Sequence, residues 1–208
     1  MCSLPHDWIL RIWRGNYPGR SGDITWVAKP PDYMGSGFPH AGPWNYLERV
    51  PLFFYGPGYI KPQGSVETPA TWADIAPTIA DLIGFNRFHT PDGHALTDAL
   101  VPADQRPGPP RVVFTLVWDA GGRNVLAQWP KEWPNLKGLI PQGTFYDRAI
   151  IGSAPTSTSQ AHATLGTGEF PRHDGIVGND QRFGDEVLDP WYGGRGYGAL
   201  KSPTLADV

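Results

Sequence analysis

Four polar positions carry the chemical interest of this chain: Asp119, Thr158, Asn179 and His40. Asp119 ends the apolar run Arg111-Val112-Val113-Phe114-Thr115-Leu116-Val117-Trp118, and further along Pro155-Thr156-Ser157-Thr158-Ser159 opens a segment containing Gly and Ala. A carboxylate at the C-terminal end of a strand lies where open α/β sheets hold their ligands, and hard or borderline cations prefer such oxygen donors. A threonine hydroxyl is a weak nucleophile near neutral pH. It needs a base or a metal to favour its alkoxide, and a helix N-terminus behind it helps to hold an incoming anion. The combination suits metal-assisted attack on an anionic ester.

Each position also has a plainer reading. Asp119, ahead of Ala120-Gly121-Gly122, is a good helix N-cap, as are Thr156, Ser157, Thr158 and Ser159. His162 falls one helical turn after Thr158, where a lone histidine is more often a hydrogen-bonded core group than a base. Asn179 closes Gly175-Ile176-Val177-Gly178, a turn whose amide could donate to a phosphate oxygen. His40 lies in a loop fixed by Pro39, Gly42 and Pro43. Imidazole is the commonest zinc ligand, but an isolated loop histidine is usually a surface group.

The elements that would position these groups follow from hydrophobic pattern and breakers. Val50 to Gly58 is a continuous apolar run bounded by turn residues, which reads as a buried strand of a mostly parallel sheet flanked by helices. Arg111 to Asp119 reads as a second strong strand, with weaker ones at Asp23 to Ala28 and Gly143 to Ile151. A helix is expected over Trp72 to Ile83, with Ile75, Ile79, Leu82 and Ile83 on one face, Pro77 in its first turn and Gly84 as its C-terminal cap. A second, over residues 124–139, is broken near Pro130 and Pro134, and Asp7 to Arg14 forms a short helix or strand. Residues 98–110, with four prolines among charges, form the best candidate linker. Residues 1–97 and 111–208 are the segments it would join.

Composition narrows the function classes. Charged residues are only 18%, and 26 Gly with 23 Pro predict many turns, while 9 Trp, 9 Phe and 8 Tyr supply the apolar area that disordered chains lack. A formal charge of -3 gives no footprint for polymeric nucleic acid. Cys2 is the single cysteine, so an internal disulfide and a cysteine zinc cluster are both excluded. The N-terminal residues lack the pattern of a secretory signal, and no stretch approaches the roughly 18 apolar residues of a membrane span, so a cytoplasmic chain is expected.

The run Ala154 to Gly168, followed by Pro171 and Gly175-Ile176-Val177-Gly178-Asn179, resembles the nucleophile region of the alkaline phosphatase superfamily. It is most similar to the type I phosphodiesterase/nucleotide pyrophosphatase branch and to single-domain alkaline phosphatases with threonine nucleophiles. The resemblance implies that Thr158 attacks, that Asn179 contacts the phosphoryl group, and that Asp119 and Thr158 bind metal. Phe38-Pro39-His40-Ala41-Gly42-Pro43-Trp44, the Val50 to Gly58 run and Asp74 to Gly84 resemble the C-terminal part of that family, which implies His40 as a further metal ligand.

The order is therefore inverted, and a circular permutation is favoured over a junction of tandem domains or a chance fusion. The family's Asp-x-x-x-His and Asp-His pairs are absent, and Asp174 stands where a histidine is usual. The resemblance accordingly implies an incomplete chain.

The expectation is an α/β, alkaline-phosphatase-like, partial fold. The expected activity is hydrolysis of phosphate monoesters or diesters through a phospho-threonine, on a small-molecule ester. Two divalent metal ions would assist, zinc first, with manganese or magnesium as alternatives. A metal-poor binding module, an inactive fragment, or a sulfatase or phosphonate hydrolase relative is the alternative.

Overall fold

The computed structural model describes residues 4–32, 41–190 and 200–207. Its elements are α1 (His6–Arg14), α2 (Asn45–Glu48), β1 (Leu52–Phe54), β2 (Gly64–Val66), β3 (Ala70–Thr71), α3 (Ile75–Ile83), α4 (Arg123–Gln128), α5 (Pro134–Leu139), β4 (Thr144–Tyr146), β5 (Ala149–Ile150), α6 (Thr158–Thr167), α7 (Pro171–Asp174), β6 (Gln181–Phe183) and β7 (Glu186–Leu188). The class is mixed α/β, with small sheets and helices.

β4 carries the bulkiest core side chains. Phe145 and Tyr146 are almost wholly buried, and Thr144 is buried beside them. β1 pairs antiparallel with one edge of β4, Leu52 opposite Tyr146, and β2 pairs parallel with the other, Ser65 opposite Phe145. The sheet is thus small and mixed rather than mostly parallel. β3 and β5 form a short parallel pair through Ala70 and Ala149, and β6 and β7 an antiparallel hairpin. Leu52, Ala70, Ile75, Leu96, Ala99, Tyr146 and Ala149 form one core cluster. The Tyr146 hydroxyl donates to Asp98 Oδ1 at 2.7 Å, which satisfies the one polar atom that this ring carries inward.

α3 follows its sequence pattern. Pro77 occupies its first turn, and Gly84 ends it with φ 76°, so Phe85 N–H can donate back to Ala80 O at 2.8 Å. Ile75 and Leu82 are buried, while Ile83, at the frayed end, is 37% exposed. The helix expected over 124–139 appears as α4 and α5, separated around Pro130, with Pro134 opening the second. Ala99 and Leu100 are buried, and residues 103–105 and 107–109 of the same proline-rich stretch are largely exposed.

Three strand expectations change. Val50 to Gly58 contracts to β1, because Pro51 and Pro57 bound it and cannot donate to a ladder. Asp23 to Ala28 is not a strand, and Ile24 and Trp26 are 74% and 79% exposed. Residues 111–117 have strand composition but no ladder, with Val112 and Phe114 80% and 82% exposed. Composition makes a segment fit for a sheet; a free neighbouring edge makes it a strand. Residues 111–117 pair with none of the described strands.

Two contacts tie the first helices to the loop that follows β5. Ala154 N–H donates to Arg11 O at 3.0 Å, and a Cβ on Gly15 would lie 1.7 Å from Ala154 O, so no side chain fits there. Glu48 is fully buried, and its Oε2 accepts from Gly152 N–H at 2.8 Å. Burial pushes the Glu48 carboxyl up to about 7, against the Gly152 hydrogen bond and the charges of Arg11 and Arg14.

The folded value lies above the unfolded one of 4.5, so the folded chain binds the extra proton between them. The contribution of this group is full below the unfolded value and is lost as pH rises through about 7. Thermal unfolding should therefore occur at lower temperature at mildly alkaline than at mildly acidic pH. Glu48→Gln should flatten that slope, as scanning calorimetry across the range would read.

Candidate functional site

The sequence Pro155-Thr156-Ser157-Thr158 leads into α6, a ten-residue helix with Thr158 at its first position. Ser157 is the N-cap residue, extended at φ -88° and ψ 160°, yet its side chain makes no capping bond. Its Oγ is buried with no hydrogen-bond partner among the described residues. The cap comes from elsewhere: Asn179 Oδ1 accepts from Ser159 N–H at 3.0 Å. The Ser157 hydroxyl, one of those the sequence offers as a cap, is thereby left for other work. Asn179 Nδ2 is not engaged by that bond.

Asn179 reaches α6 because the turn before it is pinned. Gly175 closes α7 in the left-handed region at φ 82°. Ile176 N–H donates to Asp174 Oδ1 at 2.7 Å, Val177 N–H donates to Gln181 Oε1 at 3.1 Å, and Arg20 Nη1 donates to Gly175 O at 2.7 Å. Asp174 is fully buried, and burial pushes its carboxyl up to about 8, opposed by the Ile176 hydrogen bond. The sequence reading marks Asp174 as a departure from a family pattern and gives it no task. Its task is to hold this turn, and the signal was an Asp-Gly pair closing a short helix. Gln181 and Arg20 had no such signal, since their partners are distant backbone groups or depend on the turn itself.

Thr158, half-buried, places Oγ1 3.4 Å from Oδ2 of the exposed Asp119. That exceeds the roughly 2.5–3.0 Å of a well-made hydroxyl–oxygen hydrogen bond, so the two oxygens face each other loosely. Asp119 is not a helix cap: Gly122 holds that place in α4. The turn behind it is built from Ala120 at φ 57° and a Gly121 N–H to Trp118 O bond of 3.0 Å. His162 Nδ1 bonds Thr158 O at 2.9 Å, the hydrogen-bonded role that the residue reading gave it. With Nδ1 as donor to a carbonyl, a neutral ring keeps its lone pair at Nε2. Asp119, Thr158 and His162 all border a cavity of about 1090 Å³.

The structure thus brings together Asp119, Thr158 and, through Ser159, Asn179. His40 lies outside the described residues, as do Phe38, Pro39 and residues 191–198. Among the described residues no group of three His, Cys, Asp or Glu is arranged to hold a metal ion. Nor is any helix among them long and apolar enough to cross a membrane.

Residues 113–191 match the family described as type I phosphodiesterase / nucleotide pyrophosphatase. This stretch contains Asp119, Thr158, His162 and Asn179. Over this stretch the chain resembles the alkaline phosphatase superfamily. Alkaline phosphatase PhoK from Sphingomonas sp is 37% identical over 91 residues, an alignment covering 38% of this chain and 15% of that protein. The chain therefore corresponds to a small part of this curated superfamily relative. No solved structure matches it.

Removal of the external cap gives a direct check on this geometry. Asn179→Ala should destabilise the start of α6 by about 1 kcal/mol. Faster hydrogen exchange at the Ser159 amide is the expected reading, with the Phe145 amide unchanged as the control.

Proposed function

We propose that this chain carries the nucleophile of a hydrolase acting on small phosphate esters, with Thr158 as the attacking group. The observation that carries the reading is Thr158 at the N-terminus of α6, its Oγ1 3.4 Å from Asp119 Oδ2, within the segment matched by the phosphodiesterase family. The helix N-terminus favours the ester's negative charge, and Nδ2 of Asn179 would donate to a phosphoryl oxygen. Thr158 Oγ1 attacks phosphorus, its proton directed towards Asp119 Oδ2. A P–Oγ1 bond forms as the bond to the leaving alcohol breaks, and the alcohol departs with a proton. Water then cleaves P–Oγ1, which frees the phosphate product and returns the hydroxyl.

Two divalent cations, zinc first, belong to the same proposal through the family resemblance. Asp119 and Thr158 offer one carboxylate and one hydroxyl, which alone do not fit two cations. The reading of the chain order as permuted draws support from β4, a strand of the second half, lying between β1 and β2 of the first.

The test is hydrolysis of an aryl phosphate by the purified chain with zinc, manganese or magnesium supplied in turn. Wild type should release the phenol, Thr158→Ala should lose at least about 100-fold in kcat/KM, and acid quenching should trap phospho-threonine. An unchanged rate in Thr158→Ala would remove Thr158 from the chemistry. Absence of turnover and of phospho-threonine with every cation would favour a binding module.

A further inference from the structure

We propose that the ester this site accepts is amphiphilic, a phosphate joined to a long alkyl or extended aryl group; this rests on the assignment of Thr158 as nucleophile. The cavity beside Thr158 has a volume of about 1090 Å³. That is at the top of the range of roughly 300–1,000 Å³ for small-molecule sites, far more than a phosphate alone requires. Its walls come from several separate parts of the chain, including Phe54 of β1, Ile75 and Ile79 of α3, Val113 and Trp118 of the run before Asp119, and Leu165 of α6.

Such walls match a hydrocarbon or ring system, since their stabilisation of a ligand grows with the apolar area withdrawn from water. At the start of α6 the same cavity is bordered by Thr158, Asp119, His162 and Ser157. Ser157 is 9% exposed, with its Oγ unpartnered among the described residues, a buried hydroxyl available to a phosphoryl oxygen.

The charge distribution separates this ligand from a nucleotide. Arg111 is the single Lys or Arg among the described lining residues, whereas a polyphosphate is ordinarily held by several cationic side chains. One anionic group at the α6 N-terminus and an uncharged body along the apolar walls satisfy what the cavity offers.

Alkylphosphonic acids from ethyl to decyl test this without turnover, because ester hydrolysis cannot cleave their C–P bond. Binding to the full chain, read by calorimetry below the micellar concentration, should tighten about threefold to fourfold per methylene until the cavity is filled. Val113→Asp should flatten that series; its side chain is already 41% exposed, which limits the effect on folding. A Thr158→Ala chain should keep the length dependence, so loss of hydrolysis and loss of apolar recognition are read separately. Decylphosphonate binding no tighter than ethylphosphonate, an undiminished slope in folded Val113→Asp, or tighter binding of AMP than of decylphosphonate would each overturn the proposal.

Discussion

The pairing of β4 on both of its edges is the constraint from which the rest of the arrangement follows. β1 and β2 come from the first part of the chain and β4 from the second, so neither part completes this sheet alone. Phe145 and Tyr146 bury their rings only because these neighbours flank them, and rings of this size dominate a small core. The run before Asp119 joins none of the ladders among the described residues and lies along the rim of the large cavity.

From that sheet the site is reached through a short series of polar contacts. β5 leads into the loop whose Gly152 N–H is held by buried Glu48, and that loop leads into α6. On the far side of α6, Asp174 holds the turn that presents Asn179 to Ser159. Both carboxyls are fully buried with one oxygen unpartnered among the described residues, and burial favours their neutral forms. Two acids placed where ionisation is unfavourable thus brace the approach to Thr158, an arrangement in which local order is gained at some expense of stability.

The sequence disclosed what depends on nearest neighbours and concealed what depends on distant ones. α3 was legible to its cap because Pro77, Gly84 and the isoleucine spacing act within one helix. The juxtaposition of Asp119 with Thr158 was legible through family likeness, since nothing local brings residues so far apart in the chain together. That Asn179 would cap α6 was not legible, because a hydroxyl-rich start such as Thr156 to Ser159 offers caps of its own. The run at 111–117 misled for a related reason: its alternating branched and aromatic residues specify a surface fit for a sheet, and the availability of a partner is a property of the whole fold.

That run has a further consequence for how the molecule behaves in company. An exposed stretch rich in Val, Phe and Leu that joins no ladder among the described residues is a template on which other chains can add and stack into fibrils. Arg111 and Asp119 bracket it with opposite charges, the usual gatekeepers of such segments. Under the proposed function Asp119 would serve two ends, and exchanging it for a neutral residue would leave one flank of a sticky ribbon unguarded.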